Sequence, residues 1–420
     1  MAFEWLNDNS RNFLNGGYLK EGVSAEQRMR EISDYAEKIL GIEGFSDKFY
    51  GYLGKGYYSL SSPVWSNFGN KKGLSISCFG SDIQDNMSSI LYTHGEVGMM
   101  SKFGGGTSGF FGNIRPRGAE IKNNGKSSGA VHFMDMFDKL VDIASQGSMR
   151  RGAFSPYLPI DHDDILEFLK IGSEGNPIQK LTHGVTVTDK WMKEMIAGDY
   201  EKRTVWAKVI QSRVEIGYPY IFFHDTVNNN TVDVYKELGM LINHSNLCSE
   251  IMLPNNAKES FVCCLSSMNL LYFDEWKDTD AVETMVYFLD AVISEFVTDL
   301  ESLRDSDDEE KRNAFIYMER AYNFAKNHRA LGLGSLGLHS YYQSNMIPFE
   351  SVEASQMNVR MHRFIKKKAY KASRELAELL GEPELLKGYG RRNSTLLAVA
   401  PTTSSAFILG QVSQSIEPQF

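Results

Sequence analysis

Apolar residues recur at helical spacing in several stretches of this chain, and that period predicts where its helices lie. In "SAEQRMREISDYAEKIL" (24–40), Met29, Ile32, Ala36, Ile39 and Leu40 form one stripe, and Ser24 with Gln27 makes a capping box. Helices are predicted likewise over 84–102, 130–145, 163–170, 189–197, 280–304 and 351–380. Strand-like runs are "LSISCF" (74–79), "HGVTVT" (183–188), "YPYIFF" (218–223) and "STLLAVAP" (394–401). Glycine-bearing "KFGGGTSGFFGNIRPRG" (102–118) and "QGSMRRGAF" (146–154) read as loops, and the acidic run "RDSDDEEKR" (304–312) as a solvated turn. The alternation of helix and strand, without a fixed-period repeat or a low-complexity linker, predicts α/β architecture.

Composition narrows the function class. The chain has 420 residues, 42% hydrophobic and 23% charged, as in an ordinary globular protein. A formal net charge of −9 argues against a nucleic-acid-binding surface. No run of 18 apolar residues predicts a membrane span, and "MAFEWLNDNSRNF" lacks a signal-peptide pattern. The four cysteines, Cys78, Cys248, Cys263 and Cys264, form neither a C-x-x-C pair nor a zinc-spaced cluster. A cytoplasmic chain with reduced thiols is expected, in which a disulfide would be catalytic rather than structural.

The chemistry centres on "NHSNLCSE" (243–250), with an amide, a thiol and a carboxylate at every second position. In an extended segment Asn246, Cys248 and Glu250 would share one face, about 7 Å between neighbours at roughly 3.3 Å per residue. A plain strand with a buried cysteine is the bland alternative. In "FVCCLSSMNL" (261–270), at most one of Cys263 and Cys264 can face a given site if the segment is a strand. With Cys78, that makes three strand-like segments carrying thiols, enough for a dithiol that supplies two electrons and a third reactive cysteine. Gly104, Gly106 and Gly109 match G-x-G-x-x-G without the flanking strand and acid of a dinucleotide site. That stretch reads as a loop admitting a ligand to the backbone. "PTTSS" (401–405) is a hydroxyl-rich turn able to hold phosphate.

Taken together, "SSP" (61–63), "SISC" (75–78), "SDIQDNMSSI" (81–90), "NIRPRG" (113–118), "SQGSMRRGA" (145–153), "SNLCSEIMLP" (245–254), "CCLSSMNL" (263–270), "RALGLG" (329–334), "RRNSTLLAVAPTTSS" (391–405) and "SIEP" (415–418) are collinear with a known family. The chain resembles the large catalytic (alpha) subunit of class I ribonucleotide reductase from about residue 15 onward. The resemblance implies a ten-stranded α/β barrel of two parallel five-strand halves, incomplete at the C-terminus, with a loop carrying Cys248 through its centre. A mainly helical region over 1–70 would precede a catalytic barrel over 71–420. It implies reduction of ribonucleoside diphosphates to deoxyribonucleotides by a thiyl radical. Cys248 would take the C3′ hydrogen, Glu250 would accept the 3′-hydroxyl proton, and Asn246 would hold both carboxylate and sugar. Cys78 and Cys263 would supply two electrons and end as a disulfide, since Cys263 fits the family's C-x-L-S spacing. Ser62, Ser77, Gly106 and the turn Thr402, Thr403, Ser404, Ser405 would bind substrate.

The same resemblance places a deoxynucleoside triphosphate or ATP effector at Asp82, Ile83, Gln84, Arg115 and Lys122, in a homodimer. The loop Gln146–Gly152 would relay effector identity through Gln146 and Arg150. No cofactor or metal would bind the chain itself, because a metal-containing small (beta) subunit supplies the radical. Thioredoxin or glutaredoxin would re-reduce the dithiol. The family's N-terminal ATP cone and its C-terminal tyrosine pair and C-x-x-C tail are not matched. A split or truncated subunit completed by a complementary C-terminal segment is therefore expected. Two other readings are a nucleotide-binding fragment without turnover and an adenosylcobalamin-dependent relative.

Overall fold

The structure, a computed structural model, describes residues 3–70, 73–146 and 150–419, with the side chains of Ser145, Gln146 and Arg150 outside that description. The chain groups into two compact units. One comprises Met1–Ser77, Cys263–Glu301 and Ala325–Phe420; the other comprises Cys78–Val262 and Ser302–Phe324.

The second unit is built on five parallel strands, Cys78–Asp82, Gly106–Phe110, Ala153–Pro159, Gly184–Val187 and Tyr220–Phe223, each paired with the next in chain order. Parallel neighbours need crossovers, and the helices Met87–Lys102, Ala130–Ile143 and Asp189–Ala197 lie in three of them. Between helices and sheet, Phe137 stacks on Phe154 at 4.6 Å, beside buried Ile83, Val97, Phe111 and Val185. The stretch expected to be a glycine loop is therefore a strand, Gly106–Phe110. Its glycines serve packing, because a Cβ on Gly109 would lie 2.8 Å from the Phe154 ring. The strand expected over 74–79 begins four residues later, at Cys78. The loop expected over 146–154 is in part a short hairpin, Ser145–Gln146 with Arg150–Arg151, leading into the strand Ala153–Pro159.

The segment Ser302–Phe324 joins this unit through Arg320. The Arg320 guanidinium pairs with buried Glu96, which also accepts from Ser81 Oγ at 2.7 Å and Ser260 Oγ at 2.8 Å. The acidic run is exposed as expected, but its second half opens a helix, Glu309–Ile316, capped by Asp308. Acids at a helix N-terminus oppose the positive end of its dipole.

In the first unit, Tyr58–Leu60 runs antiparallel and Leu331–Leu336 parallel to Phe261–Asn269, with Cys264 opposite Leu331. The helix Ala25–Leu40 carries the expected capping box, and Ala281–Arg304 and Val352–Leu380 are the expected long helices. The strand expected over 394–401 is reduced to one bridge, Leu333 to Leu397, flanked by backbone bonds such as Leu333 N–H to Leu396 O at 2.8 Å. Behind it lies a buried charge cluster. Asp290 accepts from Arg329 Nε at 3.0 Å, Arg392 Nε at 2.9 Å and Asn393 Nδ2 at 3.0 Å. Burial alone would raise this carboxyl, but the two guanidiniums outweigh it and hold it below the usual range. Among the described residues no helix is long and apolar enough to cross a membrane.

Candidate active site

The segment carrying Asn246, Cys248 and Glu250 is a turn, as the resemblance implied for a loop at Cys248, and not the extended strand that period-two spacing suggested. The Asn246 side chain causes the difference. Its Oδ1 accepts from the backbone N–H of Glu250 and of Ile251, each at 3.0 Å, and from Ser245 Oγ at 3.1 Å. Ser249 N–H closes the turn onto Asn246 O at 3.2 Å, and Ser249 takes a left-handed φ of 70°. An asparagine that satisfies its own neighbours' amides competes directly with strand pairing. Asn246 is fully buried, while Cys248 is exposed at the tip. Tyr157 Oη donates to Asn246 O at 3.1 Å and ties the turn to the sheet.

Two polar atoms here are left over. Asn246 Nδ2 and Glu250 Oε2 are both shielded from solvent without a hydrogen-bond partner. Burial raises the Glu250 carboxyl above its ordinary range, and the Asn246 amide, near it without a formed hydrogen bond, and its own backbone N–H oppose that rise. A buried donor and a buried acceptor left unmade cost free energy unless a bound molecule uses them.

The other expected residues of this unit lie at opposite ends of one strand. Cys78 opens it, with Gly106 as its cross-strand neighbour. Asp82 closes it, about 13 Å away at roughly 3.3 Å per residue. Asp82 Oδ1 accepts from Asn113 Nδ2 at 3.0 Å, and its other oxygen accepts from the Gln84 amide. Ile83 is fully buried in the core, so its backbone is what it can present; its carbonyl already accepts from Asn113 at 3.0 Å. Arg115 Nε pairs with Asp85 at 2.6 Å. Lys122 is exposed on the hairpin Glu120–Ile121 with Gly125–Lys126. Asp85 and Asn113 were not singled out from the sequence, although both fall within the quoted motifs. Gln146 and Arg150 pair through their backbones. Their side chains, and residues 147–149 between them, lie outside the described residues.

In the first unit, Cys263 and Cys264 are both buried on Phe261–Asn269. Their side chains alternate. A Cβ on Gly332 would lie 2.9 Å from Cys263 Sγ and 2.5 Å from Leu265 Cδ2, so the missing side chain makes room for that face. Ser62 opens the helix Ser62–Asn67, and Ser77 is half-buried just before Cys78. The turn after Pro401 starts the helix Thr403–Ile408 from Thr402, which has φ 55°. Thr402 Oγ1 accepts from Ser415 N at 2.8 Å, and Thr403 Oγ1 donates to Gln414 at 2.9 Å. Ser404 and Ser405 are half-buried in its first turn.

A family model for the ribonucleotide reductase barrel domain matches residues 76–201 and 196–385. The chain belongs to the ribonucleotide reductase family. A frog virus 3 (isolate Goorha) protein named as a ribonucleoside-diphosphate reductase large subunit is 35% identical over 404 residues, covering 91% of this chain and 68% of that one. A vitamin B12-dependent ribonucleoside-diphosphate reductase of Thermoplasma acidophilum is 29% identical, over 96% of this chain and 53% of its own length. Among solved structures, an Actinobacillus ureae class Id ribonucleotide reductase alpha subunit superposes with a TM-score of 0.93 at 54% identity, covering 99% of this chain and 76% of that one. The fold is thus that of the reductase α/β barrel, and the parallel five-strand sheet of the second unit is one expected half of it.

In this reductase the turn offers a solvent-facing thiol beside a carboxylate of raised basicity and an unused amide donor. That set can exchange a hydrogen atom, accept a proton and hold a hydroxyl from one face of a ligand.

Proposed function

We propose that this chain is the catalytic subunit, or part of it, of a ribonucleoside-diphosphate reductase. The observation that carries the reading is the pair of unpartnered buried atoms, Asn246 Nδ2 and Glu250 Oε2, flanking the exposed Cys248. Cys248, as a thiyl radical, takes the hydrogen atom from C3′ of the ribose. Glu250 accepts the 3′-hydroxyl proton, and Asn246 Nδ2 donates to the sugar. The 2′-hydroxyl leaves as water, and Cys78 with Cys263 supplies two electrons and two protons, becoming a disulfide. Cys248 then returns its hydrogen to C3′. One dithiol is oxidised per ribose reduced, and the radical is regenerated.

The substrate diphosphate is proposed to sit on Thr402–Ser405, with Ser62, Ser77 and Gly106 lining the pocket. A deoxynucleoside triphosphate effector is proposed at Asp82, Gln84, Arg115 and Lys122, with backbone contacts from Ile83, in a homodimer. The 54% identity to a class I-type alpha subunit favours a metal-containing small subunit as the radical source. The B12-dependent relative supports a second reading, in which adenosylcobalamin takes that place.

The test is reconstitution with a ribonucleoside diphosphate and a dithiol reductant. A small subunit or adenosylcobalamin is added in separate arms, each with and without a C-terminal alpha segment supplied in trans. Deoxynucleotide formation in the small-subunit arm is expected. Effector binding without product in every arm would leave a nucleotide-binding fragment instead. After one turnover without reductant, peptide mapping should find Cys78 joined to Cys263 and Cys264 alkylatable. A disulfide containing Cys264 would overturn the facing assigned to this strand.

A further inference from the structure

His244 is fully buried two positions before Asn246. Its Nδ1 lies 2.8 Å from the backbone carbonyl of Ser245 and 3.4 Å from Ser108 Oγ on the strand Gly106–Phe110. A carbonyl only accepts, so Nδ1 carries the hydrogen. Its Nε2 lies 2.7 Å from Asn255 Nδ2, so the bare Nε2 accepts from that amide. Burial pushes the imidazole down to about 4, which keeps this neutral tautomer in place near neutrality. The ring stacks on Phe110 at 6.2 Å and packs against Phe261 at 5.3 Å and Tyr157 at 5.6 Å. Phe110 and Tyr157 come from adjacent strands of the sheet, and Tyr157 also holds Asn246 O. One side chain thus bonds both ends of the 245–255 segment and wedges that segment against the sheet.

We propose that His244 is a positioning residue for the Cys248 turn. Its Nδ1–H to Ser245 and its Nε2 from Asn255 fix the two ends of the segment, and so fix where Asn246 and Glu250 present Nδ2 and Oε2. The proposal rests on the reading of this turn as catalytic. A ring serving only as core packing would be replaceable by phenylalanine. A clamp would not, because phenylalanine keeps the stacking and removes every polar contact of the imidazole. Glutamine removes the ring and keeps one donor and one acceptor.

The test uses the full chain with its radical source, comparing His244→Phe, His244→Gln and Asn255→Ala. Asn255 is half-buried, so its variant keeps the test open if a His244 variant does not fold. His244→Phe is expected to lower kcat by about a hundredfold, as a displaced reacting group does, with KM for the diphosphate within about twofold. His244→Gln is expected to recover most of kcat. Hydrogen exchange at the Glu250 and Ile251 amides, which bond to Asn246 Oδ1, should quicken in His244→Phe and Asn255→Ala and not in His244→Gln. Unchanged kcat in His244→Phe, or equal exchange at those two amides in all variants, would overturn the clamp. If wild-type chain makes no deoxynucleotide in any reconstitution, the catalytic reading fails, and the exchange measurement still decides whether His244 holds the turn.

Discussion

Asp290 and Glu250 are both acidic side chains with an oxygen shielded from water, yet their surroundings differ in kind. Asp290 is fully buried, with two guanidiniums and an amide on its oxygens, and is held ionised. Glu250 has an oxygen with no partner, a neighbouring amide whose Nδ2 is also unused, and a carboxyl raised by burial. The first arrangement satisfies its polar groups and serves the fold. The second leaves them unsatisfied at some cost in stability, as groups awaiting a substrate are. Substitutions at the two sites should therefore separate stability from turnover.

The largest expected effect is at the exposed tip beside Glu250. Cys248→Ser and Cys248→Ala should abolish deoxynucleotide formation while substrate binding and the thermal midpoint stay unchanged, since a serine O–H is too strong to exchange hydrogen reversibly with carbon. Glu250→Gln should lower kcat by roughly 10²–10⁴-fold, the usual share of a positioned base, and leave stability unchanged or slightly higher. Asp290→Asn should do the converse. Leaving two buried guanidiniums short of their counter-charge costs about 3–5 kcal/mol in denaturant titration. Equal stability losses at Glu250 and Asp290 would erase the distinction between them.

Glu295 tests the same logic by pH. It accepts from Gly69 N–H at 2.6 Å and Ser75 Oγ at 2.5 Å, yet burial pushes its carboxyl up to about 7. A raised carboxyl favours the protonated native state. Its contribution is full below the ordinary carboxylate range and is lost as pH rises through about 7. Between pH 5 and 8 the loss is on the order of 3 kcal/mol at about 1.4 kcal/mol per unit, and Glu295→Gln should flatten that slope in unfolding titrations. The smallest effect is expected at the partly exposed Arg115. Its alanine variant should weaken triphosphate binding by about tenfold, because one charge-assisted contact is worth roughly 1.5–3 kcal/mol. Unchanged calorimetric affinity would move the effector site elsewhere.

The helices were legible where caps and stripes agreed, as at Ser24 and Gln27 of Ala25–Leu40. Tyr200–Ile216 was not legible, because only Val209 and Ser212 are buried along it and no stripe forms. Gly106–Phe110 and Leu331–Leu336 were hidden as strands for another reason. Glycine weakens the local signal, and its use here is to admit rings or thiols from neighbouring strands, which only tertiary structure reveals. Around Cys248 the family resemblance implied a loop, while the residue spacing alone suggested a strand. Period-two spacing describes a strand, whereas Asn246 folds the segment onto its own amides. His244 carried no sequence signal, since its bonds reach to Ser245 and Asn255 only once the turn exists.

In the proposed mechanism Cys248 takes a hydrogen atom from C3′ while Glu250 takes the 3′-hydroxyl proton. Turnover of a 3′-deuterated ribonucleoside diphosphate, under single-turnover conditions with the radical source present, tests it most directly. A slower chemical step with the deuterated substrate is expected in the wild-type chain, and no product in Cys248→Ser. Product from Cys248→Ser would contradict it, by showing that C3′ is activated by some other group.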